Sequence, residues 1–139
     1  MLQKVVENGY LCRLNKGELL VESLTGFCVK NQVVAGWVAG LGGVSSAEIG
    51  FYDLENKKYV FNKLTNLVEL ISLQGNIALL ENKPFLHLHA SFSDNEGKLY
   101  GGHLKEATIA GTCEIYITSF LEPLARKPDN ATGLNLLQF

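Results

Sequence analysis

The 139-residue sequence predicts an α+β fold, a mostly antiparallel, sandwich-like β-sheet domain with one main helix. Three observations carry this. Short strand-like runs bounded by Gly, Asn or Lys clusters fill most of the chain. Only one stretch has an apolar stripe at helical spacing. No strand–helix–strand alternation is visible, which excludes a doubly wound parallel sheet.

Each element follows in order. Tyr10 to Leu14 alternates as a short strand. Glu18 to Asn31 reads as the helix, with Leu19, Leu20, Leu24, Phe27 and Cys28 on one stripe and Gly26 weakening it by about 1 kcal/mol relative to Ala. Strand-like runs follow at Val33–Leu41, Val44–Asp53, Lys58–Lys63 and Leu67–Leu80, the last broken at Gly75. Gly40-Leu41-Gly42-Gly43 predicts a tight strand-to-strand turn. It is not a nucleotide-binding loop, because no helix or ribose-binding acid follows at the required distance. Phe85–Ser93, Lys98–Gly102 and a long alternating run from Ala107 to Leu121 complete the strands. Without repeats, low-complexity segments or linkers, residues 1–139 read as a single domain.

Composition narrows the function classes. Twelve Lys+Arg against 14 Asp+Glu give a formal net charge of −2. That argues against a chain built mainly to hold nucleic acid. The two arginines are Arg13 and Arg126, and the densest basic pieces, Lys57-Lys58 and Arg126-Lys127, read as solvated turns. Charged residues are only 19%, where about 25% is usual. Neither a membrane span nor a signal peptide is apparent. Cys12, Cys28 and Cys113, without CxxC spacing, read as reduced core thiols, so the expected location is the cytoplasm.

All three histidines fall within seventeen residues, at 87, 89 and 103. His87 and His89 are two apart in a strand and project from one face, with Leu86, Leu88, Ala90 and Phe92 on the other. Asn95-Glu96-Gly97 reads as a three-residue hairpin loop. Pairing Asp94 with Lys98 then sets His89 opposite His103, although a bulge at the turn would shift this register by one. Three converging imidazoles suit Zn2+ or another divalent metal, and they leave a fourth position open. Water bound there would have its pKa lowered towards about 7. The plainer alternative is three ordinary sheet histidines. Glu69, placed by alternation on the face of Leu67, Ile71 and Leu73, is the expected general acid or base. Glu114 lies on a polar parity that a cross-strand or subunit contact explains equally well.

Several segments together resemble the plant and prokaryote conserved (PPC) domain. They are Arg13-Leu14…Gly17-Glu18, Glu69 to Ile77, His87-Leu88-His89-Ala90, Gly101-Gly102-His103-Leu104, Ala107, Glu114 and Asp129…Thr132-Gly133-Leu134. The resemblance spans nearly the whole chain. It implies a homotrimer and a fold similar to acetolactate decarboxylase, in which an H-x-H pair plus a later His holds zinc. Those positions map onto His87, His89 and His103. Plant members carry an AT-hook outside the domain, and this chain has none.

The leading expectation is a metal-dependent hydrolase or lyase acting on a small molecule, or a protein that binds one. Glu69 would handle protons and Arg13 would pair with an anionic substrate group, although a salt bridge from Arg13 to Glu18 is the simpler reading. The alternatives are a non-catalytic homotrimeric binding module and a DNA-binding regulatory protein, the latter disfavoured by charge.

Overall fold

The computed structural model describes residues 1–66 and 68–139. Nine strands and one helix follow in the order β1 (Leu2–Val6), β2 (Gly9–Asn15), α1 (Leu20–Asn31), β3 (Gly36–Asp53), β4 (Lys58–Leu64), β5 (Val68–Leu80), β6 (Lys83–Ser93), β7 (Leu99–Ser119), β8 (Ala125–Pro128) and β9 (Asn135–Gln138). The strands form one mixed sheet, antiparallel in every strand pairing except β5 with β8. Strand β3 pairs with β5 and β7, while β6 pairs with the same two, so these four strands close a ring of hydrogen-bonded neighbours. No helix among the described residues is long and apolar enough to cross a membrane.

The helix begins two residues later than its stripe suggests. Leu19 is extended and bridges to Thr108. No side chain at that position caps the first turn. Glu106 of β7 does so instead, its carboxylate accepting the N–H groups of Val21 at 2.7 Å and Glu22 at 3.1 Å. These are donors that a helix start leaves without intrahelical partners. Gln32 ends the helix in the left-handed conformation. Leu20, Leu24, Phe27 and Cys28 are buried in one core with Leu88, Phe92, Ile109 and Ile115. Each fully buried aliphatic side chain there contributes about 1.5–3 kcal/mol relative to an exposed one.

Three expectations need correction. The glycine run is no turn: β3 passes straight through it as one 18-residue strand, with register shifts at Gly40/Gly42 and Gly42/Val44. Glycine is needed there because a Cβ on Gly42 would stand 2.6 Å from the Cα of Cys113 on the neighbouring strand. Gly75 does not break β5 either, since a Cβ there would only run into the His87 carbonyl. The two runs at Lys98–Gly102 and Ala107–Leu121 are one strand, β7, bent by bulges rather than interrupted. The predicted strand start at Leu67 lies outside the described residues.

The three cysteines are free and buried, and burial raises the thiol pKa values to about 11 for Cys12 and about 12 for Cys28 and Cys113. They are inert core residues at neutral pH.

Candidate metal centre

The β6–β7 hairpin brings the histidines together as its turn chemistry requires. Asp94 donates its N–H to the Lys98 carbonyl and accepts from Gly97 N–H, both at 3.1 Å. Its carboxylate also takes the N–H groups of Lys98 at 2.9 Å and Glu96 at 3.0 Å. These bonds hold its pKa below the usual carboxylate value. Gly97 supplies the left-handed residue, φ +80°, that closes the loop. From there the ladder runs without a slip through Ser93–Leu99 to His89 opposite His103.

His87, half-buried one pleat along, completes the group. Ring centroids lie 5.2 Å (His87–His89), 5.3 Å (His87–His103) and 5.6 Å (His89–His103) apart. One nitrogen from each ring lies within 4.8 Å of the others. Tetrahedral Zn–N bonds of about 2.0–2.1 Å place nitrogens roughly 3.4 Å apart, so modest ring rotations close the set.

Electrostatics favour the ligand form. Burial, followed by the charges of His87 and His89, lowers the His103 pKa to about 4. Burial, then Arg126 and His89, also lowers that of His87. Both rings are therefore neutral at pH 7, with lone pairs available. His103 Nδ1 is buried without a hydrogen-bond partner. A buried nitrogen left in that state is costly, and coordination of a metal by this ring would give the polar group a role. Three imidazoles with room beside them fit zinc or a similar divalent ion.

The histidines form part of the floor of a cavity of about 480 Å³. Its walls include Tyr52, Tyr59 and Phe85, with Tyr59 packed at 4.5 Å against the His103 ring. Residues 133–136, from the turn and strand of the β8–β9 hairpin, cover another side.

Lys57 and Lys58 are exposed at the turn into β4, as expected of a solvated turn, and edge this cavity, whereas Arg126 lines it from within and departs from that reading. Arg126 is only 8% exposed. It donates to the Asn135 carbonyl at 2.6 Å and Asn76 Oδ1 at 2.7 Å, and its Nη2 lies 3.5 Å from His87 Nδ1. Sequence reasoning missed this residue because no local pattern marks it. Burial comes from the terminal hairpin docking on β5.

Glu69 and Arg13 do not join the histidines within one chain. Glu69 pairs with Ser93, four residues along β6 from His89 and thus roughly 13 Å up the ladder. Its predicted apolar face is also corrected. A bulge between Leu70 and Ser72 resets the alternation, so Glu69 and Ile71 are exposed while Leu70 and Leu73 are buried. Arg13 lies opposite Glu114 on β7, eleven residues along that strand from His103. Glu114 is exposed there, in the cross-strand setting its parity suggested. Glu18 is engaged by the Met1 amine and the Asn15 N–H instead of Arg13.

Known proteins give this geometry a context. The chain is 25% identical to a candidate DNA-binding protein from Bacteroides thetaiotaomicron, with a TM-score of 0.96 over 99% of this chain and 96% of that one. A metal-containing protein from Archaeoglobus fulgidus is 34% identical, with a TM-score of 0.86 over 98% and 99% of the two chains. Alpha-acetolactate decarboxylase from Bacillus subtilis shares the fold alone, at 16% identity and a TM-score of 0.58 over 88% of this chain and 57% of that one. A curated relative, the bifunctional protein GlmU of Synechococcus sp. (strain JA-3-3Ab), is 32% identical over 127 residues, which are 89% of this chain. The match spans only 19% of that relative's length. The Plants and Prokaryotes Conserved (PCC) domain matches residues 1–121, and the chain belongs to that family.

Proposed function

We propose that this chain is a cytoplasmic divalent-metal protein. His87, His89 and His103 would hold one ion, zinc in the first instance, and the cavity beside them would admit a small molecule. The observation that carries this reading is the convergence of three imidazoles on one hairpin, with His103 Nδ1 buried and unpartnered. The metal-containing relative from Archaeoglobus supports it. A bound divalent ion would supply Lewis acidity and a water of lowered pKa, the requirements of hydrolase- or lyase-type chemistry. The chain's own residues hold the ligand rings in place, restrict solvent through Tyr59 and the β8–β9 hairpin, and present Arg126 at the cavity wall.

Metal analysis of the purified chain tests this. The expected result is about one divalent ion per chain, lost when His87 and His89 are both replaced by Ala. Protein that takes up no zinc at neutral pH refutes the proposal.

We further propose that the chain forms a homotrimer. The face of the sheet away from α1 exposes Leu11 (47%), Leu41 (57%), Ile71 (53%) and Tyr116 (40%). An apolar surface of this kind suits subunit contact better than water. Glu69, next to Ile71 but one, and Arg13, in the same cross-strand row as Leu41, border it. Their roles in proton handling and anion contact would then be exercised on a neighbouring copy. Light scattering on the eluting protein reads the assembly, and a monomer at micromolar concentration excludes it.

A DNA-binding role has the Bacteroides relative's description in its favour. Against it stand the net charge of −2 and the withdrawal of Arg126 into a cavity. Tight binding that falls steeply with salt would reverse this ranking.

A further inference from the structure

We infer that the cavity selects a small organic carboxylate, whose charge is received by Arg126. The inference rests on the metal-centre reading for the ion beside it, while the contribution of Arg126 is independent of that ion.

Arg126 is the one charged residue buried in the described structure, and it forms no ion pair. Its two terminal nitrogens bond to neutral oxygens, and its Nε is buried with no partner. A guanidinium carries five N–H donors in a planar fork that matches a carboxylate, and its charge cannot be shed at neutral pH. Burying such a group without a counter-charge is unfavourable unless something else supplies the negative end.

The rest of the cavity does not supply it. Its lining contains Lys57 and Lys58 and no Asp or Glu. A divalent ion on the histidines would add two positive charges to that of Arg126. An anion entering the cavity relieves all of them together, and a neutral ligand relieves none.

The walls decide which kind of anion. Tyr52, Tyr59, Phe85 and Leu136 present aromatic and aliphatic surface beside the guanidinium, and Arg126 itself lies 5.5 Å from the Phe85 ring centroid. Such walls suit the carbon part of an organic acid and give nothing to bare phosphate. The hairpin β8–β9 provides both Arg126 and Leu136. It follows residues 1–121, the span that the family model matches.

The test compares propionate, its neutral amide propionamide, and inorganic phosphate. Binding is followed by amide chemical shifts in the zinc-supplemented chain, with zinc content measured in each sample. Propionate is expected to bind roughly tenfold or more tightly than propionamide, the range set by a charge-assisted hydrogen-bond pair. Arg126→Gln should abolish that preference and Arg126→Lys should retain part of it, with zinc content unchanged in both. Equal binding of acid and amide overturns the inference, as does a preference that survives Arg126→Gln. Phosphate binding more tightly than propionate overturns the choice of carboxylate. Should Arg126→Gln fail to fold, the acid-to-amide ratio of the native chain and of Arg126→Lys still decides. A chain that holds no zinc yet prefers propionate refutes the metal centre while sustaining this inference.

Discussion

The two faces of β6 divide the labour of the molecule. Leu88, Ala90 and Phe92 point inward and are almost fully buried beneath α1. His87, His89 and Ser91, offset by one residue each, point outward, where His89 and Ser91 are exposed and His87 is half-buried. A strand sorts its side chains with period two, so one eleven-residue segment serves both the core and the site. The inner face gains from apolar burial, whereas the outer face tolerates polar rings that contribute little to folding. The two faces should therefore be separable by mutation.

The largest effect belongs to the inner face. Phe92→Ala should cost about 3–5 kcal/mol in urea unfolding, by the same amount with and without zinc. A cost below about 1 kcal/mol would mean that this ring does not anchor the core.

On the outer face, zinc at a hundred times its dissociation constant should stabilise the native chain by about 2.7 kcal/mol. The double change His87→Ala and His89→Ala should remove that gain, while the metal-free fold stays within about 1 kcal/mol of the parent. Undiminished stabilisation of the variant by zinc would place the ion elsewhere.

Acid sharpens the same division. His103 resists protonation in the folded chain, with a pKa of about 4 against an ordinary 6.5. Between those values the unfolded chain binds the extra proton, so metal-free stability should fall as pH drops from about 6.5 to 4. His87 acts in the same direction. His103→Gln should flatten this part of the profile in a thermal melt series, and an unchanged slope would assign the acid sensitivity to other groups.

The smallest effects are expected at Glu69→Gln and Arg13→Ala, both within about 0.5 kcal/mol and without change in zinc content. Their oligomeric state is the informative readout. A shift in assembly places them at the subunit contact, and a loss of zinc would mean that they support the metal after all.

The histidine site was readable in the sequence because every step was local. Asp94 and Gly97 fix the turn, the turn fixes the register, and the register sets His89 opposite His103. Glu69 was misplaced for an equally physical reason: alternation assumes an unbroken pleat, and the Leu70/Ser72 bulge adds a residue. The joined strands β3 and β7 escaped notice because glycines that end a strand and glycines that let two backbones approach look alike in a sequence.

The sequence by itself determined the strand-rich class, the single helix stripe, the free cysteines and the convergence of three histidines, because each depends on residue type and short-range periodicity. Only the tertiary structure decided the closed ring of β3, β5, β6 and β7, the cap that Glu106 gives a helix 85 positions away, and the burial of Arg126. Those features depend on which distant segments pair. That choice comes from the summed burial and hydrogen bonding of the whole sheet, and no window of neighbouring residues contains it.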